Sequence, residues 1–289
     1  MYFRPEDLKK LGEEYSRLNV KYADLLLAFQ SFHFKEPEAK KYAMQGFSRR
    51  IRTLKRCIEN VYSISPPDKS DKPSDENLID LAINLQSFIF NIFGCIDNLA
   101  WVWVKENNFE YKNNTNVSFF NKKIHDLLSS DFREYLDSDR LQAWLEYLKN
   151  FRHALAHRIP LYVVPAFMTT EDTEKHCELE DQKMEILLNV HVMTSQENRD
   201  DLSIEELSEL LSKQDTEFEK IDQLSMEQDN LGRFVPVMTY SYEENPSPVV
   251  FHGQLLADWN TILELSSKFF DELKYQADSK KCSTDPASR

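Results

Sequence analysis

The sequence predicts a mainly α protein: an up-and-down helical bundle interrupted, before its last long helix, by an acidic α+β insertion. Three observations carry that expectation. Glycine is scarce, 5 in 289 residues, which is poor material for an all-β or doubly wound fold. Apolar residues recur at steps of three and four over most of the first 160 positions and again near the C-terminus. Charge is segregated: residues 161–231 hold 19 acidic and 5 basic side chains, a balance of −14 that equals that of the whole chain, so the other 218 residues balance at 30 against 30.

Taken in order, Pro5, Glu6 and Asp7 open a helix, with proline in the first turn and acids at the positive end of the dipole. Leu8, Leu11, Tyr15, Leu18, Tyr22, Leu25, Phe29 and Phe32 then form one sustained seam. A second helix is expected over 37–62, with Phe47, Ile51, Leu54, Ile58 and Val61 inside. The proline-bearing stretch 65–74 reads as a loop. A third helix, 75–105, is the longest and most apolar, as the central member of a bundle should be. Its polar residues Asn84, Ser87, Asn91 and Asn98 fall on one narrow stripe, which fits a buried helix and not a membrane span. Residues 109–123 form an Asn-rich loop whose sequons at Asn113 and Asn116 are expected to carry nothing. Residues 124–136 look helical, and Ser138 and Asp139 can cap a helix whose core face is Leu141, Trp144, Leu145, Leu148, Phe151 and Leu155. Pro160 ends it.

Beyond Pro160 the texture changes. Residues 161–164, 184–193 and 234–240 have β-branched and aromatic content suited to strands, and Ser203 begins a short acidic helix. Residues 254–275 are amphipathic again through Leu255, Trp259, Ile262, Leu263, Phe269, Phe270 and Leu273. The expected organisation is therefore a bundle over 1–160, an acidic α+β insertion over 161–252, and a helix over 253–289 that returns to the bundle and ends in a tail.

No signal-peptide order is visible at the N-terminus, and Cys57, Cys95, Cys177 and Cys282 are isolated from one another, without zinc spacing. A soluble protein in a reducing cytoplasm is expected, with no cofactor, no metal and no membrane.

The stretch with most chemistry is Asn150-Phe151-Arg152-His153-Ala154-Leu155-Ala156-His157-Arg158, at a helix end. An arginine and two histidines within six residues are the side chains that metal-free phosphodiester cleavage needs. Neutral imidazole can take a proton from a ribose 2′-hydroxyl or give one to the leaving oxygen, and a guanidinium can hold the phosphorane. Arg152, four residues, then His157, with polar His153 after the arginine, resembles the Arg-x4-6-His motif of the higher eukaryote and prokaryote nucleotide-binding (HEPN) superfamily. The resemblance covers roughly 1–160 and the last long helix. It implies a bundle that dimerises through its motif helices, so that two copies of Arg152 and His157 meet and cleave RNA. On a straight helix a five-residue separation is ~140°, so a two-fold partner, or fraying near Pro160, would help the two groups converge.

Other constellations are weaker. His153 and His157 stand at i and i+4, but lack the intervening glutamate and third ligand of a zinc helix. Between 35 and 56 the balance is +6, and Arg49, Arg50, Arg52, Lys55 and Arg56 form a candidate RNA-binding run, which could equally be a solvated face or pair with the acidic block. Asp97 and Asn98 could orient a motif histidine. The four tryptophans are expected to pack the core, and His33, His125, His176, His191 and His252 have no assigned role. Two function classes follow: a metal-independent endoribonuclease, acting in stress response or defence by family analogy, or a non-catalytic interaction module that dimerises and recruits a protein partner through the acidic insertion.

Overall fold

The computed structural model of the chain describes residues 2–69, 71–110, 117–196, 203–240 and 248–283. The first seam forms two helices, α1 (Pro5–Ser16) and α2 (Leu18–Ser31), broken at Arg17. Leu18, Leu25 and Phe29 are buried, whereas Leu8, Leu11 and Tyr15 on α1 are half-covered. The expected helix over 37–62 consists of α3 (Pro37–Lys41), a π-helical turn (Tyr42–Phe47) and α4 (Ser48–Ile64). The wide turn lets Ala39, Ala43 and Phe47 stay buried together with Ile51, Leu54 and Ile58 below them.

α5 (Asp75–Glu106) begins as its sequence dictates: the Ser74 side chain accepts from the Asn77 backbone N–H, and Asp75 and Glu76 occupy the first turn. It packs against α3, the π-helical turn and α4, and supplies the largest set of core side chains, from Leu81 to Val104. By length and composition it could cross a membrane. Its polar stripe has partners within the fold. Asn60 donates to Asn84 at 2.9 Å, and Arg50 donates to Asn91 at 3.2 Å and to Asn98 at 3.0 Å.

The helical stretch expected over 124–136 is two short helices, α6 (Lys122–His125) and α7 (Ser130–Asp137), and the Ser129 side chain caps the second by accepting from the Phe132 N–H. α8 (Asp139–His157) buries Leu141, Leu145, Leu148, Phe151 and Ala154. Ser138 precedes it, but its hydroxyl donates back to the Tyr135 carbonyl and caps nothing. The helix stays regular up to His157, and Arg158 is extended ahead of Pro160.

β1 (Tyr162–Val163) follows. α9 (Thr170–Gln196) and α10 (Ile204–Asp229) then form a helical hairpin, with Ser203 and Glu206 in a reciprocal capping box. The strand expected over 184–193 is thus the middle of α9. Its apolar residues are too many for one helix face, which made them resemble a strand, yet Leu179, Ile186 and Val190 keep the helical period. β2 (Val237–Thr239) and β3 (Val249–Val250) complete a three-stranded antiparallel sheet of order β1-β2-β3, pairing Val163 with Met238 and Met238 with Val249. α11 (Phe251–Ser283) runs directly out of β3 and contacts α5, α4, α2 and α7. The chain divides into two units, 1–164 with 236–289, and 165–235. The described acidic residues of the second unit lie largely on the helical hairpin, and all three strands belong to the first. The strands expected over 161–164 and 234–240 are present, and with the hairpin between them they give helices and a small sheet before the last long helix; residues 184–193 alone are helical where a strand was expected. The sequons at Asn113 and Asn116 begin outside the described residues.

Candidate active site

The motif helix is fixed from both sides. Phe151 packs edge-on against Tyr240, 5.1 Å between ring centres, just beyond β2. One turn and more earlier, the Trp144 indole donates to Asp258 of α11 at 2.8 Å. With Leu148, Phe151 and Ala154 turned to the core, the opposite face of α8 must carry Lys149, Arg152, His153, Ala156 and His157. These positions spread over roughly 140° of the exposed side, with Arg152 and His157 at its two edges. Arg152, His153 and His157 are all exposed.

Together with Asn150 and Arg158 they line an open depression of about 430 Å³. Its lining holds three permanent cations, Lys149, Arg152 and Arg158, two imidazoles, and no carboxylate among the described residues. Such a surface attracts a phosphodiester and places two proton-transfer groups beside it. The His153 and His157 rings meet edge to face, 5.2 Å between centres. Among the described residues no group of three or more His, Cys, Asp or Glu side chains is arranged to hold a metal ion, so this pair lacks the third ligand of a zinc site.

Arg152 also reaches a second cleft of about 440 Å³, lined by Phe93, Asp97, Trp101, Phe120, Lys149 and other residues. Its guanidinium lies over the Phe93 ring, 4.9 Å from the centre. Burial raises the Asp97 carboxyl above the usual carboxylate range, and the charges of Arg152 and Arg50 pull it partly back. Asp97 thus faces the motif arginine and not a histidine. Asn98 is taken by Arg50 and sits against Gly46, where a Cβ would come within 2.9 Å of its amide carbon.

Of the four tryptophans, Trp103 and Trp259 are buried. Trp101 is only half-covered, stacks on Tyr42 at 5.2 Å and receives Lys105 over its face, so it is a wall of the second cleft more than a core residue.

The basic run is divided. Arg49, Arg52 and Arg56 are exposed at helical spacing on one side of α4. Arg50 turns inward over Gly94, where a Cβ would lie 2.2 Å from its guanidinium carbon. Lys55 pairs with Glu59 and lies over Tyr22. Cys57 and Cys95 are buried free thiols, and Cys177 is an exposed one.

Lys149 was missed, although its place three residues before Arg152 on the exposed side of α8 carried the signal. Phe93 was missed because it joins the site from another helix, Trp101 was expected in the core, and Asp97 was singled out but as a partner for a histidine and not for Arg152. Comparison of the chain with family models, with curated proteins and with solved structures gives no match, so the HEPN resemblance rests on the motif and the helix that carries it.

Proposed function

We propose that the protein is a metal-independent endoribonuclease of HEPN type, with Arg152 and His157 at the reacting phosphate and His153 in support. The observation that carries the reading is the gathering of Lys149, Arg152, His153, His157 and Arg158 around one open, carboxylate-free depression. One imidazole takes the proton of the ribose 2′-hydroxyl, and that oxygen attacks the adjacent phosphorus. The bond to the 5′-oxygen breaks as a second imidazole protonates it, leaving a 2′,3′-cyclic phosphate and a 5′-hydroxyl. Arg152 neutralises the oxygens of the in-line transition state. A two-fold partner would bring a second copy of these groups into one cleft, and Arg49, Arg52 and Arg56 would steer the strand.

The test is cleavage of single-stranded RNA in the presence of chelator. Arg152→Ala and His157→Ala are each expected to abolish it without changing the circular dichroism, and to be no worse in combination, because both act on one transition state. His153→Ala should lose less. Equal cleavage by all three variants, or cleavage lost on adding chelator, would overturn the assignment.

A further inference from the structure

The α9–α10 hairpin has one more apolar face than its own packing uses. Leu179 and Val190 on α9, and Leu210 and Gln228 on α10, are the buried residues that mark the mutual surface. Gln228 donates to the His176 carbonyl at 3.1 Å and to Glu180 at 2.9 Å, which sets the antiparallel register. At about 100° per residue, Met184, Leu187 and Leu188 lie roughly 70–170° around α9 from that surface, and Leu207, Leu211 and Phe218 lie roughly 60–100° around α10 in the same rotational sense. Because the two helices run antiparallel, the same sense of rotation carries Leu187, Leu207, Leu211 and Phe218 to one side of the hairpin, with Met184 and Leu188 at its outer edge. All six are exposed, Leu188 to 57% and Phe218 to 46%. An apolar stripe of this extent is not the scattered exposure usual at a surface.

Asp215 and Asp222 fall on the apolar side, as does Glu180, which is already paired with Lys183 at 2.9 Å. Lys175, Lys213 and Lys220 fall on the opposite side, each tied to a glutamate of its own helix. Residues 165–235 carry 19 acidic and 6 basic side chains, a net −13.

We propose that this face is the docking surface for a basic amphipathic helix of a partner protein. Its leucines would insert between α9 and α10, and its lysines and arginines would meet Asp215 and Asp222. A second copy of the hairpin fits poorly, since each copy would bring its own −13 to the contact, and an anionic membrane is repelled for the same reason. The proposal does not depend on the ribonuclease reading.

The experiment measures fluorescence anisotropy of a designed helical peptide, with leucine and lysine at heptad spacing, against the full chain. Saturable binding is expected, weakened about tenfold or more between 50 and 500 mM salt. A peptide of equal charge with serine for leucine should bind at least about tenfold more weakly, as should the chain carrying Leu188→Asp and Phe218→Ser. Asp215→Lys with Asp222→Lys, at exposed positions that leave the apolar face intact, should weaken binding similarly. Equal binding by the serine peptide or by both double variants overturns the proposal. So does concentration-dependent dimerisation that Leu188→Asp with Phe218→Ser abolishes, which would make a second copy the occupant. Preferential binding of the same face to vesicles of neutral or anionic lipid overturns it as well.

Discussion

Arg50 and Arg152 are two arginines of one fold with opposite employment. Arg50 is drawn into the seam between α4 and α5, held by Asn91 and Asn98, and admitted there only because residue 94 has no side chain. Gly94→Ala would add about 1 kcal/mol of helix propensity. It would also displace the guanidinium and strand two amide acceptors at roughly 1–3 kcal/mol each, so the loss wins. The variant should unfold at lower urea, with a net cost of about 1–5 kcal/mol, and a denaturation midpoint equal to the parent's would contradict this. Arg152 was readable as a functional residue because its neighbours in sequence are its neighbours on one helix face. Arg50 was grouped with the exposed run because adjacent arginines look alike in sequence, and their opposite directions depend on the partner helix. Asp97 was read as a partner for a histidine and Trp101 as core, because their place beside Arg152 appears only when α5 is laid beside α8.

At the scale of elements, α8 is pinned to α11 by a buried acid. Asp258 is fully buried and accepts from Trp144 at 2.8 Å and from Gln254 at 2.7 Å, and its second oxygen has no hydrogen-bond partner among the described residues. Burial pushes its carboxyl up to about 7, against about 3.9 in an unfolded chain. The folded state therefore keeps a proton that the unfolded state releases, and stability falls as pH rises from about 4 to 7. His252, buried with Nε2 on the Ser65 carbonyl, has the opposite slope. Burial lowers it to about 4, so folding gains stability between about 4 and 6.5. The two contributions oppose each other, at ~1.4 kcal/mol per unit of displacement. Asp258→Asn, which keeps an oxygen for Trp144 and Gln254, should unmask the histidine's rise. Its stability relative to the parent should climb by a few kcal/mol between pH 4.5 and 7.5, read from urea melts; a pH-independent difference would show that Asp258 stays charged. The helices themselves were legible where local signals agree, as at Ser74 before α5 and Ser203 before α10. The break at Arg17 and the π-helical turn were not, because no proline interrupts either stretch and the glycine within the turn, Gly46, reads locally as an ordinary helix position. What the turn accommodates is core packing from distant elements.

For the whole molecule, the exposure of Arg152, His153 and His157 makes the assembly testable. If two copies share one cleft, mixing Arg152→Ala with His157→Ala subunits should restore about a quarter to a half of parental RNA cleavage, since a two-fold mixed dimer regains one intact set. Inactivity of the mixture, with dimers present by sedimentation, would place each site within one chain. The general plan of helices before and after an acidic block was readable from charge and periodicity. So were the strands at its two ends, whereas residues 184–193 were misread because a helix with apolar residues on more than one face imitates a strand. The sheet has a further consequence. β1 and β2 are antiparallel neighbours, and the Val164 N–H donates to the Val237 carbonyl at 3.3 Å, so the chain leaves and re-enters the first unit at almost the same point. Beyond that gate Phe167 and Arg233 bridge again. Two closures in succession mean that the intervening residues enter as a cassette. Replacing an ordinary reverse turn by a 71-residue excursion adds only roughly 2–3 kcal/mol of loop-closure entropy, and the second bridge reduces even that. A lineage could therefore lengthen, shorten or exchange this excursion without renegotiating the helices around which the rest of the chain is wound.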